Sequence, residues 1–301
     1  MSHNHGRVLI ATAVMFLAVA GCNVSVSSDL DQAAALAQPD GIDPKSPNTE
    51  RSTSTIDFAG VRTIRIELPT GRVSVSQTHG NGQASLKVTE VIVAQGLSNA
   101  TLAEKLTGSS VNAERSFVDE TRLDIEATLA PGLANTDIAF DVRLVIPNGA
   151  NLEILLTNGQ VEVSDIVGNI EIHTANGAII ATNLAGNLVA QTTLRAITVA
   201  DVIGNVQAQT TEADISLRLA PSSTNVVSAS TTKKLIYLAI AQTTAASLSL
   251  SAPDGTVTAN LGGFSISNLS TGNGFLSGVL NGGGGQIEAT ATEGEIEFIG
   301  T

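Results

Sequence analysis

The reading of the fold rests on three consecutive stretches of equal length: GQVEVSDIVGNIEIHTAN (159–176), GAIIATNLAGNLVAQTTL (177–194) and RAITVADVIGNVQAQTTE (195–212). They align without a gap, and a decayed fourth copy opens ADISLRL (213–219). The third position is Val161, Ile179, Ile197 and then Ile215; the middle of each copy carries Gly168-Asn169, Gly186-Asn187 and Gly204-Asn205. Apolar residues recur at Ile170/Leu188/Val206 and Ile172/Ala190/Ala208, and Thr174/Thr192/Thr210 close each unit. Every copy thus holds two short alternating runs around a Gly-containing corner, the pattern of β-strands with one buried face. Eighteen residues cannot bury a face alone, so the units must stack on one another.

The fold class that follows is all-β: a parallel β-helix, or solenoid, of 18-residue coils about 4.8 Å apart. Apolar columns face inward and polar columns outward. The corner glycines supply backbone conformations with φ > 0. The Asn169, Asn187, Asn205 column is expected to form a structural ladder of side-chain amides, each satisfying the next. Small inward residues (Ala181, Ala190, Ala208) predict a narrow interior.

Composition agrees with thin stacked sheets. Apolar residues are 43% of the 301 and aromatics only 3%, so the core must be built from Val, Ile, Leu and Ala. A formal net charge of −13 argues against nucleic acid as a partner, which would need a basic footprint. With no Trp and a single Tyr, Tyr237, stacking platforms for sugars or bases are nearly absent.

The N-terminus reads as an export signal. Arg7 stands in a start without acids, Val8 to Ala20 is apolar apart from Thr12, and Val19-Ala20-Gly21-Cys22 follows. A basic start, a short apolar run and small residues before a cut site describe a secretory signal, too short to remain as a spanning helix. The tetrapeptide resembles the bacterial lipobox, which implies a lipid attached to Cys22, the only cysteine, and cleavage before it. The expected organisation is a lipoprotein signal peptide over 1–21, then a lipidated, disordered tether over 22–55 rich in Ser, Asp, Gln, Pro and Ala. A leading β section over 56–157 follows, with one short helix from Ser98 or Asn99 to Leu106. The repeat region over 158–301 is continuous with it. The leading section is expected to cap one open end of the stack. Beyond Leu219 the spacing slips, and the half-repeat returns at Gln286–Ala289 and Glu295–Phe298, with Phe298 plugging the far end. Asn23, rather than Asp, after the anchor favours the outer membrane by resemblance to sorting in enteric bacteria, at its periplasmic face or the cell surface.

Three features together resemble a bacterial putative-adhesin β-helix repeat family, a domain of unknown function. They are the lipobox, the 18-residue repeat, and the entry Val142-Arg-Leu-Val-Ile-Pro-Asn-Gly149 with Leu152-x-Ile154-x-x-Thr157-Asn-Gly159-x-Val161. The resemblance covers 56–301 and implies a parallel β-helix in the cell envelope; it implies no catalytic residues.

The residues themselves offer no catalytic, metal or cofactor set. His79 sits in a Gly-rich turn and His173 at an outward repeat position, neither in metal-ligand spacing. Asp165, Asn183 and Asp201 form a corner column whose two carboxylates would lie about 9–10 Å apart, two coils of spacing. That separation would suit a weak Ca²⁺ site or an inverting carboxylate pair, but corners favour Asp and Asn simply because their side chains bond local backbone. The expected role is a non-enzymatic, lipid-anchored envelope protein, held to the membrane through Cys22 and presenting its β-helix to a protein or glycan partner. The alternatives are a polysaccharide lyase or hydrolase on the same scaffold, by fold analogy alone, and a structural envelope component.

Overall fold

The computed structural model describes residues 49–51, 57–78, 84–92, 108–132 and 138–301. The signal, most of the tether, Cys22, His79 and the helix expected after Ser98 lie outside the described residues. Among the described residues the protein is all-β, with no helix, and its strands form one continuous hydrogen-bonded network.

The repeat dictates the pairing. Strand β7 (Asn151–Val167) runs parallel to β8 (Ile170–Ala185) with Leu152 opposite Ile170 and Val161 opposite Ile179, an offset of 18 residues held over the whole length. Two ladders grow from this pair. The first continues through β9 (Leu188–Gln191) and β11 (Val206–Gln209); the second continues through β10 (Ile197–Ile203) and β12 (Ile215–Leu219). Ile170, Leu188 and Val206 stand in register and are at most 2% exposed. Ile179, Ile197 and Ile215 do the same in the second ladder. The inward columns of both ladders merge into one contiguous core. Removing each such side chain from water stabilises the stack by about 1.5–3 kcal/mol.

Side-chain volume is balanced tier by tier. In the first ladder the second inward column runs Ile154, Ile172, Ala190, Ala208, Ala229, Ala289. Its counterpart in the second ladder runs Val163, Ala181, Val199, Leu217, Leu238, Phe298. As one column shrinks to Ala the other grows to Leu and Phe, all of them buried. A large side chain in one ladder is in this way set against a small one in the other, which keeps the packed volume of the tiers similar.

The period changes after Leu219 because one corner, over 220–225, is longer than its counterpart at 204–205. Strands β13 (Val226–Thr231) and β14 (Ile236–Ile240) pair with β11 and β12 at an offset of 21, Val206 with Val227 and Ile215 with Ile236. Chain order and spatial order then part. The tier next to β13 and β14 is made by the last strands, β19 (Gly285–Ala291) and β20 (Glu295–Gly300). Strands β15 (Ala246–Ser251) and β16 (Thr256–Asn260) lie outside them. Phe298 therefore does not plug the far end. It stands between Leu238 and Ala259 inside the second ladder, fully buried. The antiparallel pair β17 (Ile266–Gly272) and β18 (Phe275–Leu280) covers the outer edge of β15.

The leading end repeats this device. Strand β2 (Thr63–Gln77) lies between β7 on one side and β5 (Arg122–Thr128) and β6 (Ile138–Ile146) on the other, parallel to all three. Antiparallel strands then cover the outer edges: β4 (Ser110–Arg115) pairs with β5, and β3 (Ser85–Ile92) pairs with β6. The short β1 (Thr49–Arg51) pairs with β3, so this part of the span expected as a disordered tether is a strand, held by backbone hydrogen bonds to the β3 edge. Covered edges of this kind protect a sheet from edge-to-edge association.

Candidate functional site

Three polar features lie on the outside of the repeat, and each is built by the stacking. The first is the column after the corner glycines. Gly168, Gly186 and Gly204 have φ between 149° and 156°, and a Cβ on Gly186 would fall 2.1 Å from the Gly168 carbonyl oxygen. Only glycine allows tiers to approach so closely there. The asparagines that follow bond mainly to backbone. Asn151 Oδ1 accepts from the Asn169 N–H at 3.0 Å, Asn169 Oδ1 from Asn187 at 3.2 Å, Asn187 Oδ1 from Asn205 at 3.1 Å, and Asn205 Oδ1 from Val226 at 2.8 Å. Amide-to-amide contact is recorded at Asn187, whose Nδ2 donates to Asn169 Oδ1 at 3.1 Å.

The second feature is the Asp165, Asn183, Asp201 column. All three residues have left-handed backbone, with φ of 57°, 52° and 55°, a conformation Asp and Asn tolerate better than other side chains. Asn183 Nδ2 donates to Asp165 Oδ1 at 2.5 Å, and Arg218 reaches Asp201 Oδ2 at 3.2 Å. The two carboxylates are thus engaged with separate partners rather than converging on one point. Among the described residues no group of three or more His, Cys, Asp or Glu side chains is arranged to hold a metal ion.

The third feature is a groove of about 930 Å³ that runs along the stack. Its floor is an outward column of the first ladder, in which Glu67, Leu155, His173, Gln191 and Gln209 lie opposite one another in successive tiers. One wall is made by the corner residues Ala175, Thr193 and Thr211, and one end is closed by Ala127, Thr128 and Leu129 of the β5 tier. Below the wall, buried threonines tie the corners. Thr192 Oγ1 donates to the Gly177 carbonyl at 2.9 Å, and Thr231 Oγ1 to the Ala213 carbonyl at 3.1 Å. His173 is fixed on the floor between Glu171 Oε1, 2.6 Å from Nε2, and Gln191 Oε1, 3.1 Å from Nδ1.

Of the groove-lining side chains only Glu67 carries a fixed charge, and no Lys or Arg is among them. The floor offers carboxylate, imidazole and amide groups at four of its five tiers, Leu155 being the exception, and the wall adds the Thr193 and Thr211 hydroxyls, over about 19 Å at the usual strand spacing. It suits an extended neutral chain better than a polyanion. Sequence reading puts His173 at an outward repeat position, which Gln191 and Gln209 fill in the next two copies. The wall escaped it, because Ala175, Thr193 and Thr211 look like ordinary loop residues.

No family model matches the chain, and no curated protein does. Solved structures with a similar course include a putative cell adhesion protein from Clostridium sporogenes, 10% identical over 85% of this chain and 100% of that one, with a TM-score of 0.38. A putative adhesin from Bacteroides fragilis is 11% identical over 86% of this chain and 100% of that one, with a TM-score of 0.27. A putative lipid binding protein from Parabacteroides distasonis is 11% identical over 84% of this chain and 96% of that one, with a TM-score of 0.24. At such identities and scores these likenesses decide neither the fold nor the role of the chain.

Proposed function

We propose that this chain is a non-enzymatic binding protein of the cell envelope, anchored by a lipid on Cys22, whose stacked tiers form a parallel β-helix. Its groove along the first ladder receives an extended, uncharged partner chain, with a glycan strand as the best fit. The observation that carries this reading is the groove itself: one outward column, polar at Glu67, His173, Gln191 and Gln209 and broken by Leu155, assembled by register from five tiers. Tiers spaced regularly along one axis suit a polymer with its own repeat, and many weak contacts sum along it. Residues 1–21 serve as the signal, 22–55 as the tether, 56–157 as the leading section and 158–301 as the repeat region. The outer membrane is the expected location.

The hydrolase alternative draws no comparable support, since Asp165 and Asp201 are each bonded to a neighbour. Binding of the purified protein to neutral and acidic glycans, read by calorimetry, tests the proposal. A neutral glycan should bind, and His173→Ala with Gln191→Ala should weaken it about tenfold or more, the loss of two or three hydrogen bonds. Equal binding by the double variant, or binding of acidic glycans alone, would refute it.

A further inference from the structure

The Ser116–Thr121 connection between β4 and β5 carries the two most exposed large apolar side chains among the described residues, Phe117 at 102% and Val118 at 91%. Isolated exposed hydrophobics are ordinary, but this pair sits on a loop built to hold it out. The Ser116 N–H donates to the Arg122 carbonyl at 2.9 Å, and the Arg122 N–H to the Asp119 carbonyl at 2.9 Å. Asp119 Oδ1 accepts both the Thr121 N–H, at 2.9 Å, and the Thr121 hydroxyl, at 2.7 Å. Arg115 closes the base, donating to the Glu120 carbonyl at 2.8 Å. A loop tied by its own polar groups does not collapse to hide its apolar tip.

The same loop is bonded to residues 57–63, the stretch that enters β2. Arg115 also donates to the Asp57 and Ala59 carbonyls, and the Arg62 and Thr63 N–H groups donate to the Thr121 carbonyl at 2.8 and 3.2 Å. The tip therefore projects beside residues 57–63, which follow β1 in the chain and lead into β2. Charge around it is mixed, with Arg62 and Arg115 against Asp57, Asp119 and Glu120. Attraction to a highly charged surface is not what this arrangement provides. A convex knob of Phe and Val is matched by a deformable apolar medium.

We propose that Phe117 and Val118 enter the lipid surface that holds the Cys22 anchor, making a second contact that fixes how the stack stands on the membrane. This rests on the lipid-anchor reading given above. An anchor at Cys22 keeps the tip at high effective concentration over the bilayer, so a weak second contact is enough. Each side chain of this size withdrawn from water changes a partition constant by about tenfold or more.

The chain contains no tryptophan, so F117W supplies a single reporter. F117W protein isolated from membranes and reconstituted in phosphatidylethanolamine–phosphatidylglycerol vesicles should show blue-shifted emission and quenching by brominated acyl chains. L269W, at a half-exposed site on the β17 hairpin, should show neither. The mass of the same protein reports the lipid on Cys22 independently. Lipid present with F117W unquenched overturns the tip contact and leaves the anchor standing. Lipid absent with F117W quenched overturns the anchor and leaves the tip contact standing. F117W unquenched without lipid overturns both. In a full-length C22S chain, F117S with V118S should lower vesicle partition about tenfold or more, and unchanged partition would count the tip as idle.

Discussion

Asn169 Oδ1 receives two hydrogens from Asn187, one from its backbone N–H at 3.2 Å and one from its side-chain amide at 3.1 Å. Asn187 in turn accepts the Asn205 N–H at 3.1 Å, so it is both donor and acceptor between two tiers. Asn187→Ala removes both roles at an exposed position, where water replaces part of the loss. The expected cost is about 1 kcal/mol. Asn187→Asp keeps the acceptor for Asn205 and faces Asn169 Oδ1 with a second acceptor, so it should retain only part of that stability. Urea titrations of the two variants measure the difference; equal midpoints for Asn187→Ala and the parent would show that the column holds nothing.

The corner glycines separate two kinds of cost. At Gly186 a methyl would strike the Gly168 carbonyl at 2.1 Å and also sit at φ +149°, whereas at Gly149, with φ +81°, the space is open. Gly186→Ala should therefore force adjacent tiers apart and lose about 3 kcal/mol or more, while Gly149→Ala should lose about 1–2 kcal/mol from backbone strain alone. Thermal melts give the ranking, and hydrogen exchange should place the Gly186→Ala opening at the corners around residues 168–205.

Volume balance between Ala289 and Phe298 makes a sharper test of packing. Both are fully buried in the tier formed by β19 and β20. Ala289→Leu overfills that tier and should cost about 1–3 kcal/mol, and Phe298→Ala empties it at about 3–5 kcal/mol. The double variant should be more stable than the sum of the two losses predicts. Strict additivity would mean that the two columns do not share one space.

Tyr237, the single tyrosine, lies opposite Glu297 in the second ladder. Burial raises its pKa above the ordinary value of 10.0, and the nearby Glu297 carboxylate raises it further. The folded protein thus holds the phenol proton more tightly than the unfolded chain does. Stability from this site is complete below pH 10 and is lost as pH climbs through the folded midpoint. Phenolate absorbance should titrate above 10 in the folded protein, and Glu297→Gln should move the midpoint down. A midpoint at 10 in the parent would contradict the burial.

The regular middle of this fold is legible because its pairing partners are one period apart. Ile170, Leu188 and Val206 announce one another, and so do the corner glycines. Sequence reading fails where partners are distant. Val227 lies opposite Ile287, and Ile236 opposite Ile296, sixty residues on, and no local spacing encodes that. Phe298 looks like an end plug because it is nearly the last residue, yet its tier is interior. The apolar pair Phe117-Val118 within Ser-Phe-Val-Asp-Glu-Thr was a readable signal, since an alternating strand does not explain it. The asparagine column was legible as a column, but its partners were not, because backbone N–H groups compete with amides for the same oxygen.

Since β19 and β20 slot between the β13–β14 tier and the β15–β16 tier, vectorial synthesis leaves this protein with a gap until β20 itself has been made. A nascent chain that stops before Gly285 has made the outermost layer but not the one beneath it. Maturation is for that reason a closing event rather than steady growth from one end, and a prematurely terminated product differs from the finished one in kind, not merely in length.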